Sequence, residues 1–284
     1  MSEEIEQKIQ PITSIDQINK IIKRKDVSYV SHYFVPSLNK EIPFNEINTS
    51  QQKRLVKSVI DSPIYNTEFI YTFREILKEN CQDPDINIDQ LTILDKLFLA
   101  LELRIKSIGN SVDVEIETKE NQKVSVSLDL PKILSLAQQN IKIIQPKTLE
   151  DQYFNIECSI PTIGDEYKIE KELRNKVTNI DIENIQELRK TVGDAFVGEL
   201  VKYIHKVNIK NDNEELVPVD WERFTYSERI KIMETFKTGL LKEILNYVSE
   251  IRDELNKIEL VKFEFNGEIY ERRLSIDSSF FTLS

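Results

Sequence analysis

The feature that most constrains the fold is the stretch Leu91–Gly109, LTILDKLFLALELRIKSIG. Its apolar side chains lie on nearly every face of a helix, and a helix that is apolar all round is buried inside a protein. Its short length and its charged residues exclude a membrane span. The sequence therefore predicts a buried central helix over residues 91–107, with these core side chains: Leu94, Leu97, Phe98, Leu101 and Ile105.

Both ends of this helix carry boundary signals. Thr92 can cap the start, with Asp95 three residues further on. Arg104 and Lys106 lie where the negative end of the helix dipole favours cations. Gly109 can adopt the left-handed conformation that ends a helix, so the predicted helix has a defined start and stop.

The charge and cysteine content of the chain limit its partners. The 284 residues carry 38 Lys and Arg against 49 Asp and Glu, a net charge of −11 that repels phosphate backbones. We therefore expect no direct nucleic-acid partner. Two cysteines cannot form a disulfide framework, which favours a reducing compartment. The first residues lack the order of a secretion signal, and no apolar run of about 18 residues occurs, so no membrane partner is expected.

The N-terminal part of the chain reads as a leader followed by a hairpin and two helices. Residues 1–28 form a polar leader with one weak helix over Ser14–Lys25, which Ser14 caps with Gln17. The hairpin pairs Tyr29–Val35 with Glu41–Phe44 around a turn containing Pro, Ser and Asn. The sequence then predicts helices over 49–61 and 66–78, the first opened by a capping box at Thr49–Gln52.

After the central helix, strict alternation predicts a second hairpin from Val112–Thr118 and Val124–Leu130. Further strands are expected over 140–145 and 153–160. Helical periodicity follows over 166–177 and 181–206, then a polar surface loop over 208–215. A helix opening at Thr225 runs on, or breaks near Gly239, towards Leu255. The chain ends with a hairpin whose strands, 259–265 and 268–276, flank an Asn-Gly turn.

Strands and helices are interspersed without a βαβ rhythm, which predicts an α+β fold. In this fold, β-hairpins pack around the buried central helix, and a helix-rich C-terminal half ends in a hairpin. We expect a leader over residues 1–28, an α+β domain over 29–160 and a helical region over 161–284.

The usual chemical motifs are missing. Gly193 and Gly198 have the outer spacing of a P-loop, but Glu-Leu follows in place of Lys-Ser/Thr. Asp83, Asp85, Asn87 and Asp89 alternate like the ligands in the first half of a calcium loop, but the turning glycine and the final glutamate are absent. His32 and His205 have no partner at metal or triad spacing. We therefore predict no catalytic residue, cofactor or metal site, and no enzyme activity.

Three separated stretches together resemble the T4-type bacteriophage baseplate hub and hub-assembly protein family. The first is FVPSLNKEIPF over residues 34–44. The second is the central helix, at Leu91-Thr92, Asp95, Leu97-Phe98-Leu99, Leu103-Arg104, Ser107 and Gly109. The third is an apolar hairpin followed by Phe280-Phe281. The resemblance covers roughly residues 33–284, and its central helix is the most specific part.

The resemblance implies a non-enzymatic structural or assembly protein of a contractile tail, a component of the virion baseplate that is assembled in the host bacterial cytoplasm. Its partners would be other hub proteins or the tape-measure protein, and oligomerisation is left open. The alternative is a transient chaperone of those proteins that is absent from the mature virion. Relatives carry a Cys-x-x-Cys-Gly element in the C-terminal hairpin, whereas FEFNG stands here, so no zinc can bind there.

The C-terminal side chains Phe280, Phe281 and Leu283 are the best candidates for an exposed protein contact, because termini are seldom buried. The alternative is that both rings fold back into the core. If the two rings are an exposed contact, replacing them should leave the melting temperature nearly unchanged. If they are core residues, replacing them should lower it strongly.

Overall fold

The computed structural model describes residues 14–17, 30–61, 67–119, 121–177 and 197–281. The helices are α1 (Thr49–Asp61), α2 (Thr67–Asn80), α3 (Ile93–Ser107), α4 (Leu130–Asn140), α5 (Ile163–Val177), α6 (Tyr226–Met233) and α7 (Thr238–Glu259). The strands are β1 (Val30–Val35), β2 (Lys40–Asn45), β3 (Ser111–Glu117), β4 (Lys123–Asp129), β5 (Lys147–Glu150), β6 (Phe154–Cys158), β7 (Ile204–Lys210), β8 (Leu216–Val219), β9 (Leu260–Phe265) and β10 (Glu268–Arg273). The fold is α+β, as the sequence predicts.

All the strand pairs are antiparallel among the described residues. The hairpins β1–β2, β3–β4 and β9–β10 are separate two-stranded sheets, and β5-β6-β7-β8 is a four-stranded sheet. The predicted Asn-Gly turn joins β9 to β10, with positive φ at Asn266 and Gly267. Two positive φ angles in succession suit the twist of a tight hairpin, and glycine accepts them without strain.

The first hydrophobic core surrounds α3. The predicted core residues Leu94, Leu97, Phe98 and Leu101 are all buried. The prediction was too strong for Ile105, which is only partly buried and packs against the edge of this core from the last turn of α3. The β1–β2 hairpin, α1, α2, α4, Phe280 and Phe281 contribute most of the other side chains of this core, and β4, α5 and α7 add single residues.

The second core lies between the four-stranded sheet and the helices α6 and α7. Trp221 is buried there, and its indole N–H donates to the carbonyl oxygen of Ile204 at 3.0 Å. Cys158 lies on the core face of β6, and burial raises the pKa of its thiol to about 12. A thiol with that pKa stays protonated at neutral pH, so Cys158 acts as an apolar core residue.

The starts of α3 and α5 join the two cores through backbone hydrogen bonds. The N–H of Ile93 donates to the carbonyl oxygen of Pro161 at 3.0 Å, and the N–H of Ile163 donates to that of Leu91 at 2.7 Å. Each helix is capped by its own Thr-x-x-Asp box, at Thr92 and Thr162. An ion pair between Lys96 and Glu166, at equivalent positions of the two helices, completes this junction.

Several sequence predictions are wrong at their boundaries. Residues 141–146 form no strand, and α4 occupies 130–140, where Asp129 caps its start. The helix predicted over 181–206 cannot reach its predicted end, because β7 begins at Ile204; residues 178–196 lie outside the described chain. The loop predicted over 208–215 is shortened by the same strand. In α1 the capping box is formed by Asn48 and Gln51, one residue before the predicted pair.

The predicted domain boundary at residue 160 does not separate the two cores. Strand β6, before this boundary, pairs with β7, after it. The C-terminal Phe280 and Phe281 belong to the first core, although they come last in the chain. Of the predicted leader, the structure describes only residues 14–17, where the backbone N–H of Gln17 donates to the hydroxyl of Ser14 at 3.2 Å.

The prediction of an exposed contact at Phe280 and Phe281 is wrong, and the alternative of core burial is correct. Their exposed fractions are 2% and 0%. The Phe281 ring lies 5.4 Å from Phe73 and 6.2 Å from Phe69, measured between ring centroids. Both rings contribute large apolar area to a core that would otherwise be open at this side. Leu283 lies outside the described residues.

Replacing Phe281 by Ala should lower the free energy of unfolding by about 3–5 kcal/mol, because it removes a buried ring and leaves a cavity. Ile269, which is 80% exposed, provides the matched control: Ile269→Ala should change that free energy by less than about 0.5 kcal/mol. Urea unfolding of the two variants measures both values. Similar small changes in both would mean that the C-terminal rings are not core residues.

Candidate functional site

Polar side chains at both ends of α3 bind distant segments of the chain. At the start of α3, the Asp95 carboxylate accepts hydrogen bonds from the backbone N–H and hydroxyl of Thr92 at 2.7 and 2.8 Å. Its other oxygen accepts the N–H of Ser37, in the turn between β1 and β2, at 2.8 Å. Asp95 is fully buried, and these bonds satisfy a carboxylate that burial alone would destabilise. One side chain therefore caps the central helix and holds the first hairpin against it.

At the other end of α3, Arg104 binds three carbonyl oxygens. Its Nε donates to Phe280 at 2.7 Å, and its two terminal nitrogens donate to Gly109 and Ser111, each at 3.0 Å. The side chain is buried, and this burial lowers the pKa of the guanidinium. Among the residues that the structure describes, no carboxylate lies within ion-pairing distance of Arg104. The planar fork of the guanidinium suits three fixed acceptors, and the cation also suits the negative end of the helix.

Ser107 is the third polar residue of α3 that binds a distant segment of the chain. Its hydroxyl accepts the backbone N–H of Ile47, in the segment between β2 and α1, at 2.8 Å. The polar positions Asp95, Arg104 and Ser107 thus connect α3 to chain segments that are 58, 176 and 60 residues away in sequence. Helix α3 is therefore the centre of one network of long-range contacts.

Glu102 is a buried carboxyl on the same helix. Desolvation raises its pKa, while the nearby Lys106 and a hydrogen bond from the backbone of Phe34 oppose that rise. The Tyr33 hydroxyl is buried close by, and desolvation with the charges of Glu46 and Glu102 also raises its pKa. Both groups are packed within the α3 core, where they face protein and not a solvent cleft.

A cleft of about 580 Å³ lies between the two cores. Its lining includes His205, Ser159 and several charged residues. Four of these charged residues form ion pairs within the protein: Arg74 with Asp89 at 2.6 Å, and Lys168 with Glu222 at 3.4 Å. His205 and Ser159 make no hydrogen bond to each other, so the cleft lacks a nucleophile–base pair in this conformation.

The carboxyl groups with raised pKa lie outside this cleft. Desolvation is the largest cause of the shift at Glu102, Glu170 and Glu259, and none of these three lines the cleft. An enzyme built on dispersed carboxylates would need such groups to converge on a solvent cleft. The part of the chain described by the structure contains no group of three His, Cys, Asp or Glu side chains arranged to hold a metal.

The acidic loop considered as a calcium site is engaged by cations of the protein. Asp83 pairs with Lys40 at 3.2 Å, and Asp89 pairs with Arg74 and Lys78 at 2.6 and 2.8 Å. Asn87 caps the short 3-10 helix that contains Asp89. These oxygens hold the loop against α2, which is a structural use of the acidic side chains.

Open β-strand edges are a feature of the surface that sequence reasoning missed. The hairpins β3–β4 and β9–β10 each remain two-stranded, so every strand in them has one side without a partner strand. Their inner faces carry Val112, Val114, Val261 and Phe263, which pack against the α3 core. The strict alternation over 112–130 predicts one buried face and one solvated face, but it does not reveal that the hairpin stays unpaired at both sides.

Comparison with known proteins identifies no relative. No family model, no curated protein and no solved structure matches this chain. Within the described residues, no helix has both the length and the apolar character needed to span a membrane.

Replacing Arg104 by Lys should lower the free energy of unfolding by about 3 kcal/mol, because the single nitrogen of lysine cannot reach three carbonyl oxygens that are bound by three different nitrogens of the guanidinium. Arg54 is the control, since its ion pair with Glu79 is 42% and 44% exposed. Arg54→Lys should cost less than about 1 kcal/mol. Chemical denaturation distinguishes the two; an equal effect would mean that the three-carbonyl contact contributes nothing to stability.

Replacing Glu102 by Gln tests the buried carboxyl through pH. A carboxyl whose pKa is raised in the folded state contributes most to stability below its unfolded pKa of about 4.3, and this contribution is lost as pH rises through the folded pKa. A glutamine side chain stays neutral, so the variant should be more stable than the parent at pH 7, and the difference should shrink towards pH 4. Thermal unfolding at both pH values measures this. A parent that gains stability relative to the variant as pH rises would contradict it.

Proposed function

We propose that this chain is a non-enzymatic structural or assembly protein of a contractile bacteriophage tail, a part of the baseplate hub or a helper in its assembly. It acts through contacts with other proteins. Its partners are other hub proteins or the tape-measure protein. The chain meets them in the cytoplasm of the infected bacterium and stays with them in the tail baseplate.

The observation that carries this proposal is the convergence of the resembling residues at α3. Here the first stretch supplies Ser37, the second supplies Asp95 and Arg104, and the third supplies Phe280, and these residues form direct hydrogen bonds. The three resembling stretches therefore lie in one part of the fold, and this proximity supports the proposal.

The chemistry of the polar residues also supports a role in protein contacts. In the histidine-containing cleft, Arg74 is paired with Asp89 and Lys168 with Glu222, and the buried carboxyls Asp95, Glu102 and Glu254 do not line it. The whole chain carries a net charge of −11, which disfavours binding to a nucleic-acid backbone. Open strand edges and exposed apolar side chains such as Leu136 and Ile269 leave surface that a neighbouring protein can cover.

Mass spectrometry of purified particles tests the proposal against its alternative. A baseplate component should be present in virions in a fixed ratio to other tail proteins, set by the symmetry of the ring. A transient chaperone should be abundant in infected lysate and absent from virions. Its absence from both tail particles and complexes with tail proteins in the lysate would contradict a role in the tail altogether.

A further inference from the structure

The β3–β4 and β9–β10 hairpins form a groove along the open edges of β3 and β10. The groove has a volume of about 420 Å³ and is lined by the consecutive residues Val112–Glu115 of β3 and by Arg272–Ser275. Neighbouring residues of a strand point to opposite faces of the sheet. A cavity lined by every residue of such a run therefore faces the edge of the strand, where backbone N–H and C=O groups have no partner strand.

The floor of this β3–β10 groove is apolar apart from the guanidinium of Arg104, whose donors are bound by three carbonyl oxygens. Val112 and Val114 lie on the inner face of the β3–β4 hairpin, and Leu274 and Phe280 are buried beneath them. An extended chain has side chains on alternating sides and backbone groups in between. It can place every second side chain on this floor while its backbone pairs with β3, which is how proteins bind peptides by strand addition.

The charges on the outer face of β3 indicate which side chains a strand bound in the groove would carry. Asp113 and Glu115 are exposed, lie two residues apart on this face and are opposite Ser127 and Ser125 of β4. Neither carboxylate forms an ion pair with any residue that the structure describes. Across the groove, Arg273 is paired with Glu259 at 3.4 Å, and Arg272 shares the inner face with Val261. A strand added to β3 would therefore meet carboxylates at its outward positions, where Lys or Arg gives a favourable cross-strand pair.

A second copy of this chain fits the groove poorly. A two-fold symmetric contact between the β3 edges would place the carboxylates of one copy beside those of the other. The same contact between β10 edges would bring together Arg272 and Arg273 of both copies. Like charges on neighbouring strands are destabilising, so both of these symmetric contacts are unfavourable.

We propose that the β3–β10 groove binds an extended segment of a partner protein by strand addition to β3, with apolar side chains inward and basic side chains outward. This inference deepens the proposed function and rests on it for the source of the strand, a neighbouring tail protein. The bound segment forms the third strand of the β3–β4 sheet and covers the apolar floor.

The probe is an end-blocked, fluorescein-labelled peptide of about seven residues, the length of β3, in which Lys alternates with Val or Thr. Fluorescence polarisation with the full chain should show saturable binding, and hydrogen exchange should show new protection of the amides in β3. A peptide of the same composition with a central Pro should not bind, because Pro removes a backbone donor and cannot continue the ladder. A peptide with Glu in place of Lys should also fail to bind.

Glu115→Lys should weaken binding of the Lys peptide by about tenfold, because it replaces an attractive cross-strand pair with a repulsive one. Glu264→Lys is the matched control: this glutamate is also exposed, on β9 and outside the groove, and its replacement should leave binding within about twofold. Equal weakening by both variants would reveal non-specific charge attraction and overturn the proposal. If a variant fails to fold, the Pro peptide tests strand addition on the parent chain instead.

The remaining outcomes are also decisive. Equal binding of the Pro peptide, protection outside β3, or no binding at all would each overturn the proposal. Light scattering that finds a dimer which Glu115→Lys dissociates would assign the edge to a second copy and also overturn it. A chain that is present in virions but does not bind the peptide would contradict only the groove, so failure here is distinct from failure of the proposed function.

Discussion

The first core depends on the hydrogen bonds that the guanidinium of Arg104 donates. This guanidinium is a buried cation whose charge is met by carbonyl dipoles from the end of α3, the start of β3 and the C-terminal Phe280. A buried charge is costly unless its donors are satisfied, so the segments around it must be in place together. This requirement explains why Phe280 and Phe281, near the end of the sequence, are packed in a core built mainly from the first half of the sequence.

At the other end of α3, paired helix starts connect the cores. The Thr92 and Thr162 boxes satisfy their own first turns, and the backbone bonds between Ile93 and Pro161, and between Ile163 and Leu91, then tie one helix to the other. Gly164 allows this close approach, because a Cβ there would lie 2.9 Å from the carbonyl oxygen of Asp89. The central helix is thus fixed at both ends by polar contacts and along its length by apolar packing.

Local signals in the sequence predict local structure well. Thr92 and Thr225 start helices with the expected capping boxes, and Asn266-Gly267 makes the expected turn. The errors arise where two local patterns overlap. Alternation in β4 runs directly into α4, whose start is marked by Asp129 and Pro131, and the helical periodicity before β7 obscured the strand that begins at Ile204.

The contacts that define the candidate site are not local, so the sequence pattern does not contain them. Nothing near Arg104 in sequence indicates that it binds Phe280, 176 residues away, and the open edges of β3 and β10 become visible only when the hairpins are placed in space. The expectation that the final rings are exposed was wrong for the same reason, because the contacts that bury Phe280 and Phe281 come from distant parts of the sequence.

Native-state hydrogen exchange tests most directly whether the contacts of α3 unite these distant segments. If they do, the amides of β1, α3 and the 3-10 helix at Ser278–Phe281 open together, with one common free energy and one common dependence on denaturant. Exchange of the Ser278–Phe281 segment at a much lower free energy than α3 would contradict the account, since it would mean that the C-terminal rings and the Arg104 contact are not part of the cooperative core.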